Sequence, residues 1–261
     1  MRGAAAAADL SDPGLPPAGP RIGRPHPVAA LVERITACFV PLGFDVTNLP
    51  LLATEDDNFD LLGYPPGHPT RTRLTFHPAP GVVLRTQASS GIAEVLRQAR
   101  PGPARALLVA TCFRNEPPAP HSGPQFTQID GVVAQPGLAL PDLMGLFDVF
   151  VRGVFGAGCA WQLTRCDYPF VDPGFALSIA CPHCGSGCAT CWDRGRVEVC
   201  TGGVLRDEVL TASGYAPGRT TGLSFGCSAE RLLRYLHGLH DMRELLANDP
   251  RVLEQFEGQG H

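Results

Sequence analysis

The residues with the clearest chemical signature are four cysteines in one short segment. Cys181 with Cys184 and Cys188 with Cys191 form two C-x-x-C pairs separated by three residues. Each C-x-x-C turn can present two thiolates to one ion, and two such turns complete the tetrahedral sulfur shell that suits Zn²⁺. Since four protein ligands leave no position for a substrate, we expect a structural Zn²⁺. The alternatives are a cluster of free thiols or disulfides, or His183 in place of one cysteine.

A second group of residues has types suited to binding a nucleotide. Arg114 precedes Glu116 and a proline-rich loop, and Phe126 begins a predicted strand that carries Asp130. An arginine, an aromatic ring and an acid on one sheet face supply a phosphate clamp, a stacking surface and an acceptor for an amine. Without support from another motif, a surface ion pair beside a core phenylalanine is the simpler interpretation.

A third segment, residues 222–231, combines a glycine-rich strand with a helix that has Arg231 near its start. The glycines allow a ligand to approach the backbone, and Arg231 is long enough to reach a polyphosphate. The alternative is an ordinary corner between a strand and a helix, with a solvated arginine.

The elements that position these groups are predicted from apolar spacing. Val28 to Leu42 recur at helical spacing before Gly43, and a second helix runs from Pro141 towards Gly156. Further helices are predicted over residues 92–97, 228–237 and 241–246, and strands over 44–48, 81–86, 106–113, 126–134, 161–165, 175–180, 196–200 and 222–226. The predicted fold class is α/β of the α+β type, a mostly antiparallel sheet flanked by helices, with no repeating βαβ order.

Composition bounds the function. The 261-residue chain has a net charge of −4, and all of its basic residues are arginine, so tight non-specific binding of DNA or RNA is disfavoured. No run approaches the roughly 20 apolar residues of a membrane helix, and the N-terminus lacks the apolar region of a signal peptide. We expect a cytoplasmic protein with a disordered leader over residues 1–25 and one folded domain over residues 26–261, which includes a zinc knuckle over residues 181–191.

Several short segments occur in a characteristic order: N-F-D-L at 58–61, H-P-T-R at 68–71, L-R-T at 84–86, the segment 113–131, Y-P-F-V-D-P at 168–173 and the segment 222–231. Together they resemble the catalytic domain of bacterial phenylalanyl-tRNA synthetase alpha subunits, which are class II aminoacyl-tRNA synthetases. Residues 113–131 are similar to motif 2 of that class and residues 222–231 to motif 3. Some members also carry a cysteine cluster at the position of residues 181–191. The resemblance covers about residues 26–256 and implies a class II fold with a small zinc-binding insertion, and a ligase.

For ATP, the resemblance implies that an amino-acid carboxylate attacks the α-phosphate and forms an aminoacyl adenylate. Arg114 would bind the α-phosphate and Arg231 the γ-phosphate, while Phe126 would stack on adenine. Glu198 would lie near the phosphates and the Mg²⁺ that accompanies ATP. The implied catalytic residues are Arg114, Arg231 and Glu198, and the implied ATP-binding residues are Arg114, Glu116, His121, Phe126 and Arg231.

For the amino acid, the resemblance implies that Gln128 and Asp130 hold the substrate ammonium, while Tyr168 and Phe170 line the side-chain pocket. The implied amino-acid site consists of Ser89, Gln128, Asp130, Tyr168, Phe170 and Ser224.

The amino-acid side also departs from the family pattern. Gln87 and Ile92 replace a histidine and a glutamine that help to seat the amino acid, and Ser224 replaces a small apolar residue. Because a buried hydroxyl without a partner disfavours a hydrocarbon side chain, we expect a substrate that carries a polar atom or is smaller than phenylalanine. The alternative is an ordinary phenyl pocket in which Ser224 bonds its own backbone and Tyr168 points its hydroxyl to water.

Three functions therefore stand at this stage. The leading one is activation of an amino acid and its transfer to tRNA. We expect the chain to lack the family's N-terminal coiled coil, and its net charge is negative; both features favour a carrier protein, peptide or small molecule as acceptor. A non-catalytic paralogue that binds ATP or an amino acid is the third, and Arg114, Arg231 and Glu198 argue against it. The resemblance also implies a homodimer or a heteromer with a beta-like subunit, and we expect no membrane or DNA partner.

Overall fold

The computed structural model describes residue 23 and residues 25–256, so the predicted leader over residues 1–25 lies almost wholly outside the described residues. The strands are β1 (Asp45–Asn48), β2 (Leu52–Thr54), β3 (Val82–Leu84), β4 (Ala104–Phe113), β5 (Gln125–Gln135), β6 (Trp161–Tyr168), β7 (Val171–Ala180), β8 (Arg196–Leu205) and β9 (Thr221–Ser228). The α-helices are α1 (Pro27–Phe39), α2 (Pro69–Thr72), α3 (Ile92–Ala99), α4 (Leu140–Phe155), α5 (Asp207–Ala212), α6 (Ala229–His237), α7 (Arg243–Leu246) and α8 (Pro250–Leu253).

Seven of these strands form one sheet in the order β1-β4-β5-β9-β8-β7-β6. Only the edge pair β1 and β4 is parallel, and the other pairs are antiparallel. The predicted antiparallel pairing of the two strands flanking the proline-rich loop is confirmed, since β4 and β5 run in continuous register from Ala104 opposite Ala134 to Phe113 opposite Gln125. The predicted strand over residues 81–86 lies outside this sheet and pairs with β2, which the sequence did not predict.

Both faces of the central strands are covered. Side chains alternate between the faces of a strand, and on β4 Leu107 joins a core that includes α1, α4 and α6, while Leu108 joins a second core that includes α3. Val132 and Val133 divide in the same way on β5. This double burial explains the nearly continuous apolar runs in the middle strands, and the mixed α/β class with a mostly antiparallel sheet is confirmed.

The two long helices end where the sequence predicted. A short 3-10 turn extends α1 to Leu42, and Gly43 then adopts φ +81 in the left-handed region, where glycine carries no steric penalty. Gly156 follows the last residue of α4. No helix in the described part of the chain is long and apolar enough to cross a membrane.

Another departure from prediction is β8, which runs past the expected end at Cys200 to Leu205. A Cβ on Gly202 would lie 2.6 Å from the Ser224 carbonyl oxygen, and one on Gly203 would lie 2.6 Å from the Pro173 carbonyl oxygen. The two glycines therefore continue the strand because its neighbours approach closely, although glycine usually weakens a strand. The helix predicted over residues 241–246 is shorter, because the Asp241 side chain accepts from the Arg243 N–H and precedes the first turn.

Candidate active site

A cleft of about 410 Å³ opens over the middle of the sheet. Its walls come from the loop between β4 and β5, from strands β5 to β9 and from the start of α6. Every residue predicted for ATP, catalysis or the amino acid lines it: Ser89, Arg114, Glu116, His121, Phe126, Gln128, Asp130, Tyr168, Phe170, Glu198, Ser224 and Arg231. The structure thus brings these residues together, and their individual roles stay predictions.

Strand register explains how β5 presents three of these side chains. Phe126, Gln128 and Asp130 are two residues apart, so they point to the same face of the sheet. Gly226 lies opposite Asp130 on β9, and a Cβ there would lie 2.2 Å from Asp130 Oδ1. Glycine at this position therefore makes room for the carboxylate.

One end of the cleft, the arginine end, contains Arg114, Phe126, Arg231 and Glu198. The Arg114 guanidinium lies 5.0 Å from the centroid of the Phe126 ring, and its Nε is buried without a partner among the described residues. Arg231 Nη1 lies 3.8 Å from Glu198 Oε1. Two cations and an aromatic ring in one cleft can bind the phosphates and the base of a nucleotide.

Glu230 supports the arginine end, and sequence reasoning missed it. Its carboxylate is 2% exposed and accepts from the Thr127 backbone N–H at 2.8 and 2.9 Å. Burial raises the pKa of Glu230. This contact joins the first turn of α6 to β5 and so fixes the direction of the neighbouring Arg231. An acid in the first turn of a helix is the signal that could have identified it.

The other end of the cleft, the aspartate end, is built around Asp130, which is 3% exposed. Burial raises the pKa of Asp130 to about 7, although hydrogen bonds from Ser89 act in the opposite direction. The Ser89 hydroxyl donates to Oδ2, while Oδ1 has no partner among the described residues. A buried carboxylate oxygen without a partner, in a residue that lines a cleft, is suited to a cationic group of a ligand.

A buried hydrogen-bond network behind this end was also missed. The Tyr64 hydroxyl donates to Gln87 Oε1 at 2.9 Å, and Gln87 Nε2 donates to the Asn58 carbonyl at 3.1 Å. Asn58 Nδ2 in turn donates to Thr86 Oγ1 at 2.8 Å. Gln87 and Tyr64 therefore line the cleft as a fixed polar wall. Ile92, the first residue of α3, is by contrast completely buried in the core and does not line the cleft.

The two hydroxyls expected in the side-chain pocket, those of Tyr168 and Ser224, differ in whether they have a hydrogen-bond partner. The Tyr168 side chain is hydrogen-bonded to Thr201, which lowers its pKa, while burial, the larger effect, raises it. Ser224 is 3% exposed and lines the cleft, and within residues 25–256 its hydroxyl makes none of the hydrogen bonds found in the structure. Only the hydroxyl of Ser224 thus remains open for a polar atom of a ligand.

The four cysteines form one compact group, with their sulfur atoms within 4.8 Å of one another. Three Sγ–Sγ separations are 3.8 Å for Cys181 and Cys188, 3.5 Å for Cys184 and Cys191, and 3.8 Å for Cys188 and Cys191. A tetrahedral shell with Zn–S bonds of about 2.3 Å has sulfur atoms about 3.8 Å apart, whereas a disulfide requires about 2.05 Å. The cluster fits a metal ion and contains no disulfide.

Backbone donors support the cysteine sulfurs. The N–H groups of Cys188 and Gly195 both point to Cys191 Sγ at 3.3 Å, as expected around a metal-bound thiolate. The His183 ring instead donates from Nε2 to the Tyr235 carbonyl oxygen at 2.6 Å. His183 thus contacts α6, and the group of metal-ligating side chains found in the described part of the chain consists of the four cysteines without His183.

Comparison with known protein families identifies the family of this chain. Residues 11–256 match the core domain of class II tRNA synthetases. The chain belongs to the class II tRNA synthetase family. Family members are ligases, so the predicted family and enzyme class are confirmed.

Curated relatives of this class II chain are named phenylalanine–tRNA ligase alpha subunits. The one from Roseiflexus sp. (strain RS-1) is 33% identical over 256 residues, which cover 95% of this chain and 74% of the relative. The one from Trichlorobacter lovleyi is 34% identical over 252 residues, 96% of this chain and 74% of the relative. The one from Geotalea uraniireducens is 36% identical over 238 residues, 90% of this chain and 70% of the relative. These relatives give no support to a different acceptor or to a non-catalytic paralogue.

Proposed function

We propose that the chain activates an amino acid with ATP and transfers the aminoacyl group to tRNA. The observation that carries this proposal is the pairing of two chemistries in one cleft. The arginine end offers Arg114, Arg231 and Phe126 to a nucleotide, and the aspartate end offers the buried, unpartnered Oδ1 of Asp130 to an ammonium group.

In the first step, a carboxylate oxygen of the amino acid attacks the α-phosphorus of ATP. A new P–O bond forms, the bond from the α-phosphorus to the bridging oxygen breaks, and pyrophosphate leaves with the electron pair. Arg114 neutralises charge on the α-phosphate and Arg231 on the leaving pyrophosphate. The remaining contribution is positioning, because both reactants are held in one cleft.

Glu198 is the residue of the arginine end suited to a magnesium ion. Its carboxylate is 45% exposed beside Arg231 and lines the cleft, so oxygen ligands are available where the phosphates lie. Magnesium bound there supplies charge neutralisation and orientation of the phosphates.

At the aspartate end, Asp130 Oδ1 binds the substrate ammonium. Gln128 is held in place because its Oε1 accepts from the Ala88 N–H at 3.0 Å. The substrate side chain then extends between the aromatic wall of Tyr168 and Phe170 and the hydroxyl of Ser224. We infer a preference for a side chain that carries a polar atom or is smaller than phenylalanine, and the support for it is Ser224 alone.

In the second step, a terminal ribose hydroxyl of tRNA attacks the acyl carbon of the adenylate. The acyl–oxygen bond to phosphate breaks and AMP leaves. Addition of tRNA to a reaction that holds ATP, magnesium and the amino acid should give aminoacyl-tRNA and stoichiometric AMP. If AMP appears only with a carrier protein or a small amine as acceptor, the tRNA part of the proposal is wrong.

A subunit interface is supported by an exposed apolar patch around the edge strand β1. Its members are 40–52% exposed: Val40, Leu42, Val46, Leu51 and Leu52. All five lie within residues 40–52, and exposed apolar residues that are grouped are more typical of an interaction site than isolated ones. The relatives are named alpha subunits, so we infer a heteromer with a beta-like chain. Light scattering on the chain alone, and with a beta subunit of a relative, distinguishes this from a homodimer.

We further propose a structural Zn²⁺ in the knuckle over residues 181–191, inside one catalytic domain that covers residues 26–261 of a cytoplasmic enzyme. Cys184→Ser should lower the zinc content well below one per chain and lower the melting temperature, because one ligand of four is removed. Cys159→Ser is the matched control, since Cys159 is a free cysteine outside the cluster. Equal zinc content in both variants would contradict the assignment.

A further inference from the structure

A second cleft, of about 220 Å³, adjoins the first cleft at its arginine end, and the two clefts share His121, Glu198, Arg231 and Met242. Arg194, Arg196 and Arg234 also line this second cleft, and Glu198 is the only carboxylate among its described lining residues. The Nε atoms of Arg196 and Arg234 are buried without a partner among the described residues. An excess of cations with unused donors is the environment that an anion requires.

Arg234 connects this second cleft to the knuckle. The side chain is 5% exposed, and its two Nη atoms donate to the carbonyls of Thr190 at 3.0 Å and Ala189 at 3.3 Å. Its guanidinium lies 4.8 Å from the centroid of the Trp192 ring. A buried guanidinium needs a compensating negative charge. Four thiolates around one Zn²⁺ carry a net negative charge, so the metal-bound knuckle supplies it.

Helix α6 is held between the knuckle and β5. Arg231 and Arg234 are three residues apart, so they lie on the same side of the helix. On one flank Glu230 bonds the Thr127 N–H of β5, and on the other the His183 ring bonds the Tyr235 carbonyl. The direction of Arg231 therefore depends on both contacts, and one of them comes from the knuckle.

The turn after the knuckle depends on the cysteine cluster. Trp192 and Asp193 have φ of +50 and +57, a region that is costly for residues other than glycine. The Asp193 N–H bonds the Cys188 carbonyl at 3.0 Å, and the Gly195 N–H points to Cys191 Sγ at 3.3 Å. This turn places Trp192 and Arg194 in the second cleft. Two backbone N–H groups of this turn are thus anchored on Cys188 and Cys191 of the cluster.

We propose that the metal of the knuckle sets the affinity of the chain for ATP, and that Arg234 is the positioning residue through which it acts. The metal-bound knuckle holds Arg234 and the turn over residues 192–195. Arg234 and this turn hold α6 and the arginines of the second cleft in the positions that bind the terminal phosphates of ATP. This inference rests on the proposed use of ATP and goes beyond it, since a metal that only folds its own insertion leaves ATP affinity unchanged.

The test measures binding of a non-hydrolysable ATP analogue, α,β-methylene ATP with magnesium, by calorimetry on the full chain. Zinc-loaded protein, chelator-treated protein and protein with zinc restored are compared. Removal of zinc should weaken binding by about tenfold or more, the loss expected for one charge-assisted contact, and restoration should reverse it. Circular dichroism verifies the fold of each sample, and the affinity for the amino acid should change by less than about twofold.

If the zinc-free protein unfolds, zinc-loaded variants with single substitutions test the proposal instead. Arg234→Gln and Arg194→Gln should both weaken binding of the analogue at full zinc content, and Arg194 is exposed enough for its substitution to leave the fold intact. Arg152→Gln on α4 is the matched control, because this arginine is 59% exposed and pairs only with Asp148 among the described acidic residues. In a Trp161→Phe background, Trp192 is the one remaining tryptophan, and its fluorescence should respond to the analogue only with zinc bound.

Unchanged affinity in folded zinc-free protein would overturn the proposal, and so would unchanged affinity in zinc-replete Arg194→Gln. Failure of this proposal and failure of the proposed function give different experimental results. If the analogue binds in a zinc-dependent manner but no amino acid is activated, the coupling stands and the reaction assignment is wrong. If amino-acid activation occurs with a KM for ATP that is indifferent to zinc, the reaction stands and the coupling is wrong.

Discussion

At the arginine end of the cleft, the side chains of Arg231 and Glu198 are 49% and 45% exposed, whereas at the aspartate end Asp130 is 3% exposed and bonded to Ser89. Exposed charges interact weakly with each other in water but are free to meet a highly charged ligand. A buried carboxylate carries a desolvation cost that a matching cation can recover. The arginine end is thus suited to charge neutralisation, and the aspartate end to discrimination between ligands.

The largest effect expected from this contrast is on the rate. Arg114→Ala should lower kcat for adenylate formation by about 10²–10³-fold, the usual consequence of losing one electrostatic contact to the transition state. Arg152→Ala on α4 is the control and should leave kcat unchanged. Pyrophosphate exchange at saturating substrates measures both. Exchange by Arg114→Ala at the unsubstituted rate would mean that Arg114 does not contact the reacting phosphate.

The next effect belongs to the aspartate end. Asp130→Asn keeps the shape but removes the charge, so the KM for the amino acid should rise by about 10–100-fold, the usual worth of a hydrogen bond to a charged group. The KM for ATP should stay within about twofold because the two ends have separate ligands. Steady-state kinetics with each substrate varied in turn gives both values. An equal rise in both KM values would show that the ends are not independent.

A pH dependence should follow from the same carboxylate. Because burial raises the pKa of Asp130 to about 7, the group is protonated below that pH and ionised above it. An ammonium ligand needs the ionised form, so the KM for the amino acid should fall as pH rises from 6 to 8, with a limiting slope of about tenfold per unit below pH 7. Asp130→Asn should abolish this slope. A KM that is constant across the range would show that the carboxylate is ionised throughout.

The smallest effect concerns the side-chain pocket. Ser224→Ala should shift the ratio of kcat/KM values towards phenylalanine and away from polar or smaller competitors by about tenfold, or about 1.4 kcal/mol, because it removes the open hydroxyl. Tyr168→Phe is the control, and its effect should be smaller because the Tyr168 hydroxyl already has Thr201 as a partner. A strong preference for phenylalanine before any substitution would contradict the inferred specificity.

The sequence allowed the long elements to be predicted, because helix α4 and strands β4 and β5 carry apolar residues in regular spacing over many positions. It also led to the arginines and cysteines, whose types and spacing are chemically specific. The buried contacts of Tyr64, Gln87 and Glu230 were not predicted, since each depends on a partner distant in the chain. The full length of β8 was not predicted for a related reason. Its glycines continue the strand because neighbouring strands approach closely, and those neighbours are distant in the sequence.

The central claim is that one cleft joins ATP to an amino acid, and pyrophosphate exchange tests it most directly. Purified, zinc-loaded chain is incubated with ATP, magnesium, labelled pyrophosphate and each amino acid in turn, without tRNA. We expect label to enter ATP with at least one amino acid, and Arg114→Ala and Asp130→Asn to suppress this exchange under the same conditions. No exchange above the level of these two variants, with any amino acid and in the presence of a beta subunit as well, would contradict the account.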